Sequence, residues 1–192
     1  MDKIKTTHVG SLPRSKKLSE ILFKKDKNEV FDQVELDKII EEDVNKIVKK
    51  QIDIGIDIIS DGEMSKISYA TYVKDRLHGF SGESERRAPK DLDDFPSYKE
   101  KIAKSGGTPT YTRPCCTADL KIKDTKSLTK DISNLKSALK KNNHSHGFIN
   151  SASPGVISNF LPNKFYKNDD DYLDALSKIM KTEYDEITKN DL

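Results

Sequence analysis

Apolar residues recur at three- and four-residue spacing in three stretches of this chain, and short apolar runs ending in polar turns alternate with them. The clearest stripe is Leu36, Ile39, Ile40, Val44, Ile47, Val48 and Ile52, the period of an amphipathic helix with one buried face. Gly55 follows it, where a helix end favours a residue that tolerates a left-handed backbone. A second helix is expected through Ile132, Leu135 and Leu139. A third carries Tyr172, Leu173, Leu176, Ile179, Met180, Tyr184 and Ile187 on one face. Asn168 or Asp169 is its expected N-cap, and the aspartates that follow suit the positive end of the helix dipole.

Four strands are expected, at Ile4–Val9, Ile56–Ser60, Thr110–Thr117 and His146–Ser151, each leading into helical sequence. A run such as Ile56-Asp57-Ile58-Ile59 reads as an interior strand of a parallel sheet. Repeated βα units build either a doubly wound sheet or a (β/α)8 barrel. No GxGxxG or GxxxxGK[ST] loop follows any of the strands, which lowers the nucleotide-binding option. A full barrel needs eight units and about 250 residues, so four units amount to a half-barrel. Between His78 and Pro109 the periodicity dissolves into charge, Gly, Ser and Pro, which reads as a long loop excursion, residues 78–109, over the active face or as a partly disordered insertion. Arg86 and Arg87 within it could meet an anionic ligand or simply be a solvated pair.

The composition narrows the partners. Of 192 residues, 34% are hydrophobic and 34% charged, with 34 Lys and Arg against 32 Asp and Glu. The lysines lie among acids along the whole chain, so there is no basic stripe for nucleic acid. No apolar run approaches the roughly 18 residues that would span a bilayer, and the N-terminal MDKIKTTHVGSLPRS has no apolar signal core. A soluble cytoplasmic protein with one domain over residues 1–192 is the expectation. The two cysteines, Cys115 and Cys116, are adjacent, which excludes a disulfide framework and fits a reducing compartment.

In a barrel, the four turns HVGSLPR, SDGEMSKISY, CCTAD and NSASPG would converge on one rim. Glu63, just past Gly62 at a strand end, is the best single candidate for ligand contact, because a carboxylate can hold an ammonium through charge-assisted hydrogen bonds. Ser11, beside Gly10, could offer a hydroxyl and a backbone N–H to a carboxylate. Together the two could grip both ends of an amino acid. Their bland alternative is a turn serine and a surface glutamate. His8, at the end of the first strand, is either a ligand or general base, or a satisfied histidine in the barrel mouth. His144 and His146 flank the start of the fourth strand, away from that rim. Cys115 and Cys116 point to opposite faces of an extended strand, so they do not share a metal. No catalytic residue and no metal ligand is assigned within the chain.

The segments TTHVGSLPRS, SDGEMSKISYATYVKDRLHGF and FINSASPGVISNF, in this order, resemble the cobalamin-independent methionine synthase family. The likeness is to its short, single-barrel branch, which includes alkyl-coenzyme M transferase-like members. The resemblance implies a TIM-type barrel and a catalytic zinc that holds a substrate thiol as thiolate for attack on the methyl group of 5-methyltetrahydrofolate. Homocysteine is the commonest acceptor there, and Ser11 and Glu63 match the positions that bind its carboxylate and ammonium. The family's zinc ligands, a His-x-Cys pair, an acidic residue and a distant Cys, come from the second half of its barrel. On this reading the chain corresponds to the N-terminal half. It needs a complementary C-terminal half-barrel, or a second copy of itself, to close, and alone it is inactive and binds no zinc tightly. A non-catalytic binding or assembly module, or a truncated gene product, is the alternative. One departure falls after the third expected strand, where Cys116-Thr117-Ala118-Asp119 replaces a turn of the C-x-G-P or T-G-P kind.

Overall fold

The computed structural model describes residues 3–84, 92–104 and 111–192. Seven helices and four strands occur among these residues, in the order α1 (Lys16–Asp26), α2 (Gln33–Asp53), β1 (Ile59–Ser60), α3 (Val73–Arg76), β2 (Leu77–Ser81), α4 (Pro96–Lys104), β3 (Cys115–Ile122), α5 (Lys126–Lys141), β4 (Gly147–Phe148), α6 (Pro154–Phe160) and α7 (Asp169–Lys189). Arg86, Arg87 and Thr110 lie outside the described residues.

The helices start where short polar side chains replace missing backbone partners. Ser15 accepts from Leu18 N, Asp32 from Val34 N and Glu35 N, and Asn168 from Asp171 N. Three aspartates fill the first turn of α7, at the positive end of its dipole. Past the end of α2, Gly55 takes φ of 84°, the left-handed conformation a C-terminal glycine supplies.

A parallel layer runs through three positions. Thr7 bridges Ile58, and β1 pairs in parallel with β4, Ile59 beside Gly147 and Ser60 beside Phe148. The first expected strand, Ile4–Val9, is reduced to that single bridge. The third expected strand, Thr110–Thr117, is displaced: the extended segment is Cys115–Ile122, and it pairs antiparallel with β2 rather than joining the parallel layer. Its physical reason lies in the side chains. Thr117, Ala118, Asp119, Lys121 and Ile122 are exposed and only Cys115, Cys116 and Leu120 are buried. Such a strand suits a two-stranded ribbon with one wet face and could not sit covered on both faces. The CCTAD segment is therefore strand, not a rim turn. The segment between β4 and α6, residues 149–153, takes the third place on the rim. The 78–109 excursion likewise contains most of β2 and all of α4.

One apolar cluster joins α1, α2, β1 and α5 through Leu18, Leu36, Val48, Ile59 and Leu135. A second joins the β2–β3 ribbon to α6 and α7 through Leu77, Cys116, Ile157, Leu161, Tyr172 and Leu176. Gln51 of α2 ties the helix layer to the strand end: its amide nitrogen donates to Ser60 O at 2.9 Å and its oxygen accepts from Ser60 N at 3.1 Å. Replacing Gln51 by Leu leaves both buried peptide groups unpaired, and should cost about 1–3 kcal/mol in urea unfolding. No helix among the described residues is long and apolar enough to cross a membrane.

Candidate functional site

The site grows from two turns at the carboxyl ends of neighbouring parallel positions. After β1 the chain enters Asp61-Gly62-Glu63 with φ of 64° at Gly62 and 56° at Glu63. Asp61 imposes this turn by accepting Glu63 N on Oδ1 at 2.9 Å. A left-handed glutamate is costly, and residues held in this way cluster where a side chain must be aimed. The other turn, Gly10 to Pro13, is fastened alongside by Leu12 N donating to Gly62 O at 3.0 Å. Gly10 has φ of 102°, which explains the glycine there.

These two turns bring Ser11 and Glu63 together. Ser11 Oγ donates to Glu63 Oε2 at 2.7 Å. The other carboxylate oxygen, Oε1, accepts from Asn150 Nδ2 at 3.0 Å, so a third turn, the one after β4, joins the site. Glu63 is only 3% exposed, whereas Ser11 lies at the surface. Arg14 braces the arrangement from below. Its guanidinium donates to Glu63 O at 2.7 Å and to Lys66 O at 2.5 Å. Burial draws the Arg14 pKa down against the pull of Glu63 and Asp61, and burial likewise raises the Asp61 carboxyl despite the nearby Lys66 ammonium.

Behind this lies a buried polar cluster. Lys66 Nζ donates to Asn150 O and sits 4.6 Å from the centre of the Tyr72 ring. The Tyr72 hydroxyl donates to Glu183 Oε1, which also accepts from Ser151 Oγ at 2.8 Å. Arg76 closes the cluster with ion pairs to Glu183 at 2.7 Å and Asp131 at 2.5 Å.

The other expected residues fall elsewhere. His8 forms no hydrogen bond to Ser11 or Glu63, and its Nε2 is buried without a partner among the described residues. His144 Nε2 meets Asp57 O at 3.0 Å, at the strand-start end away from Glu63. Cys115 and Cys116 are both buried and free, and burial pushes the Cys116 thiol up to about 11, against thiolate chemistry. Sequence reading missed Asn150, Arg14 and Lys66. Asn150 carried a usable signal, since it follows an apolar strand just as Asp61 follows Ile59-Ser60. Lys66 carried none.

The profile of the family described as "Cobalamin-independent synthase, Catalytic domain" matches residues 4–106, more than half of the chain. The 5-methyltetrahydropteroyltriglutamate–homocysteine methyltransferases of Bacillus cereus and Desulforamulus reducens are 32% and 33% identical over 76 residues, which is 40% and 39% of this chain but 10% of each relative. Among solved structures, a B12-independent methionine synthase from Shewanella sp. W3-18-1 in complex with selenomethionine superposes with a TM-score of 0.67 at 19% identity, covering 96% of this chain and 48% of that one. A putative vitamin-B12 independent methionine synthase from Listeria monocytogenes gives 0.57 at 18% identity, covering 98% and 49%. The chain thus spans about half the length of these structures, in the manner of a half-barrel. It belongs to the cobalamin-independent synthase catalytic-domain family.

Proposed function

We propose that this chain forms the amino-acid-binding part of a cytoplasmic methyltransferase of the cobalamin-independent methionine synthase type. The reaction moves a methyl group from 5-methyltetrahydrofolate to the thiol of homocysteine. The observation that carries this reading is the Ser11–Glu63–Asn150 contact, in which three strand-end turns hold one buried carboxylate against the exposed Ser11. Glu63 takes the ligand's ammonium, and Ser11, with the backbone of the Gly10 turn, takes its carboxylate. His8 flanks the same turn. The selenomethionine complex of the Shewanella structure supports an amino acid as the ligand.

The family's zinc does not fit the described residues. No group of three or more His, Cys, Asp or Glu among them could hold a metal ion, whereas zinc takes three or four such donors. The part these residues play is to bind and orient the amino acid, and the zinc ligands belong to further βα units. A second observation concerns those units. Among the described residues β4 pairs only with β1, and Ile4 and Val9 are 88% and 70% exposed. An open edge on β4, and exposed apolar side chains around Thr7 at the opposite edge, invite further strands, from a complementary half-barrel or a second copy. A non-catalytic assembly module would use the same edge without binding an amino acid.

Calorimetric titration with L-homocysteine and L-methionine separates these readings. The chain should bind both, and bind analogues lacking the α-amino group at least about tenfold more weakly. Glu63→Gln should lose about 10- to 100-fold in affinity, the worth of a hydrogen bond to a charged group. No heat of binding, together with concentration-dependent dimerisation in light scattering, would favour the assembly module instead.

A further inference from the structure

Lys66 is the least expected residue of the site. It is 2% exposed and forms no ion pair among the described residues. The nearby Asp61 carboxylate offsets part of the cost of burying the ammonium, but its one hydrogen bond goes to the backbone oxygen of Asn150, and that choice of partner needs a reason. That reason lies one side chain further on. Asn150 Nδ2 donates to Glu63 Oε1 at 3.0 Å. A carboxylate only accepts, so the orientation of the Asn150 amide is settled: nitrogen to Glu63, oxygen at the other end. The Asn150 amide oxygen accepts no hydrogen bond from the described residues. A primary ammonium carries three N–H donors, more than the two oxygens of a carboxylate already bonded to Ser11 and Asn150 can serve well.

We infer that Asn150 Oδ1 is the second acceptor for a ligand's ammonium, beside Glu63, and that Lys66 is the positioning residue that holds Asn150 in place. This rests on the reading of Glu63 as the ammonium site and extends it to a ligand class. The site selects primary amines, because three N–H donors can serve both Glu63 oxygens and Asn150 Oδ1, and each N-alkyl group leaves one of those acceptors unserved. Tyr72 backs the arrangement, with its ring against Lys66 and its hydroxyl taking the N–H of Ala152 at 3.2 Å.

Two measurements test it. In nitrogen-15 spectra of the free chain, the Asn150 side-chain amide is identified by its loss in Asn150→Leu. It should show one proton slowed in exchange by Glu63, and Lys66→Met should return it to an ordinary, fast-exchanging signal. In calorimetry, L-methionine and N-methyl-L-methionine serve as probes. The parent chain should prefer the primary amine by about tenfold or more, and Asn150→Leu should reduce that preference to about threefold or less. Asn150→Ser gives the same comparison should the leucine variant fail to fold. An amide signal unmoved by Lys66→Met overturns the positioning role. Equal loss for both probes in Asn150→Leu overturns the acceptor role, because a merely structural residue weakens both alike. A parent chain that binds neither probe, or a Glu63→Gln chain that binds them as well as the parent, overturns the ammonium site itself, and the acceptor role with it. The amide signal still decides separately whether Lys66 positions Asn150.

Discussion

Arg76→Met should lower the folding free energy by about 3–5 kcal/mol, measured by urea unfolding at neutral pH. Arg76 is buried between Glu183, at 2.7 Å, and Asp131, at 2.5 Å, and both carboxylates are buried too. Its guanidinium also lies 4.7 Å from the centre of the Tyr72 ring. Methionine keeps much of the apolar stem, so the loss isolates the charge: two buried carboxylates remain with no cation between them. Burial disfavours the charged form of Arg76, but Asp131 and Glu183 outweigh it and raise the pKa. On Glu183 burial again opposes, and Arg76 with the Tyr72 hydroxyl draws the pKa below its ordinary value. A carboxylate lowered in this way contributes stability above its unfolded value and loses it as pH falls through the folded one. The gap between the parent and Arg76→Met should therefore be full at neutral pH and shrink below about pH 4. Neutralising the partners as well, with Asp131→Asn and Glu183→Gln in the Arg76→Met background, should recover part of the loss. A single variant as stable as the parent would remove the cluster from any structural role.

The helices were legible because their signals are local. The stripe from Leu36 to Ile52 became α2, Gly55 took its left-handed turn, and Asn168 capped α7 through Asp171 N. Ser11 and Glu63 were also legible as a pair, since each stands in a polar turn just past an apolar strand, and the structure joins them at 2.7 Å. The β2–β3 ribbon was not. Leu77–Ser81 contains Gly79, which reads as a turn, yet there it marks a register break opposite β3, where a Cβ would lie 2.8 Å from Ala118 O. Asn150 and Lys66 were missed for a different reason. Asn150 reaches Glu63 across 87 positions of sequence and Lys66 reaches Asn150 across 84. A lysine is normally solvated, and nothing near position 66 indicates that this one points inward. Contacts of that range are set by which strand lies beside which, and the third parallel position was assigned to the wrong segment.

Gly62→Ala should both destabilise the chain, by about 2–4 kcal/mol, and weaken amino-acid binding at least about tenfold. The backbone term comes from φ of 64°, which an L side chain adopts at a cost of about 1–2 kcal/mol. The packing term comes from the space. An added Cβ would meet Met64 Cε at 3.0 Å and Leu12 Cβ at 3.1 Å. The methionine tip can swing away, but Leu12 Cβ is fixed by its own backbone, whose N–H already bonds Gly62 O at 3.0 Å. Relief must therefore push the Gly10–Pro13 turn away from the Asp61–Glu63 turn. That is the movement that separates Ser11 from Glu63, which is why stability and binding should fall together. Gly155→Ala is the control: its Cβ would meet nothing within 4 Å, and it sits near the start of α6, so it should leave both quantities nearly unchanged. Urea unfolding and calorimetry on the two variants give the comparison. A Gly62→Ala chain that loses stability but binds L-methionine as tightly as the parent would detach the turn from the ligand, and the amino-acid site would then have to lie away from Ser11 and Glu63.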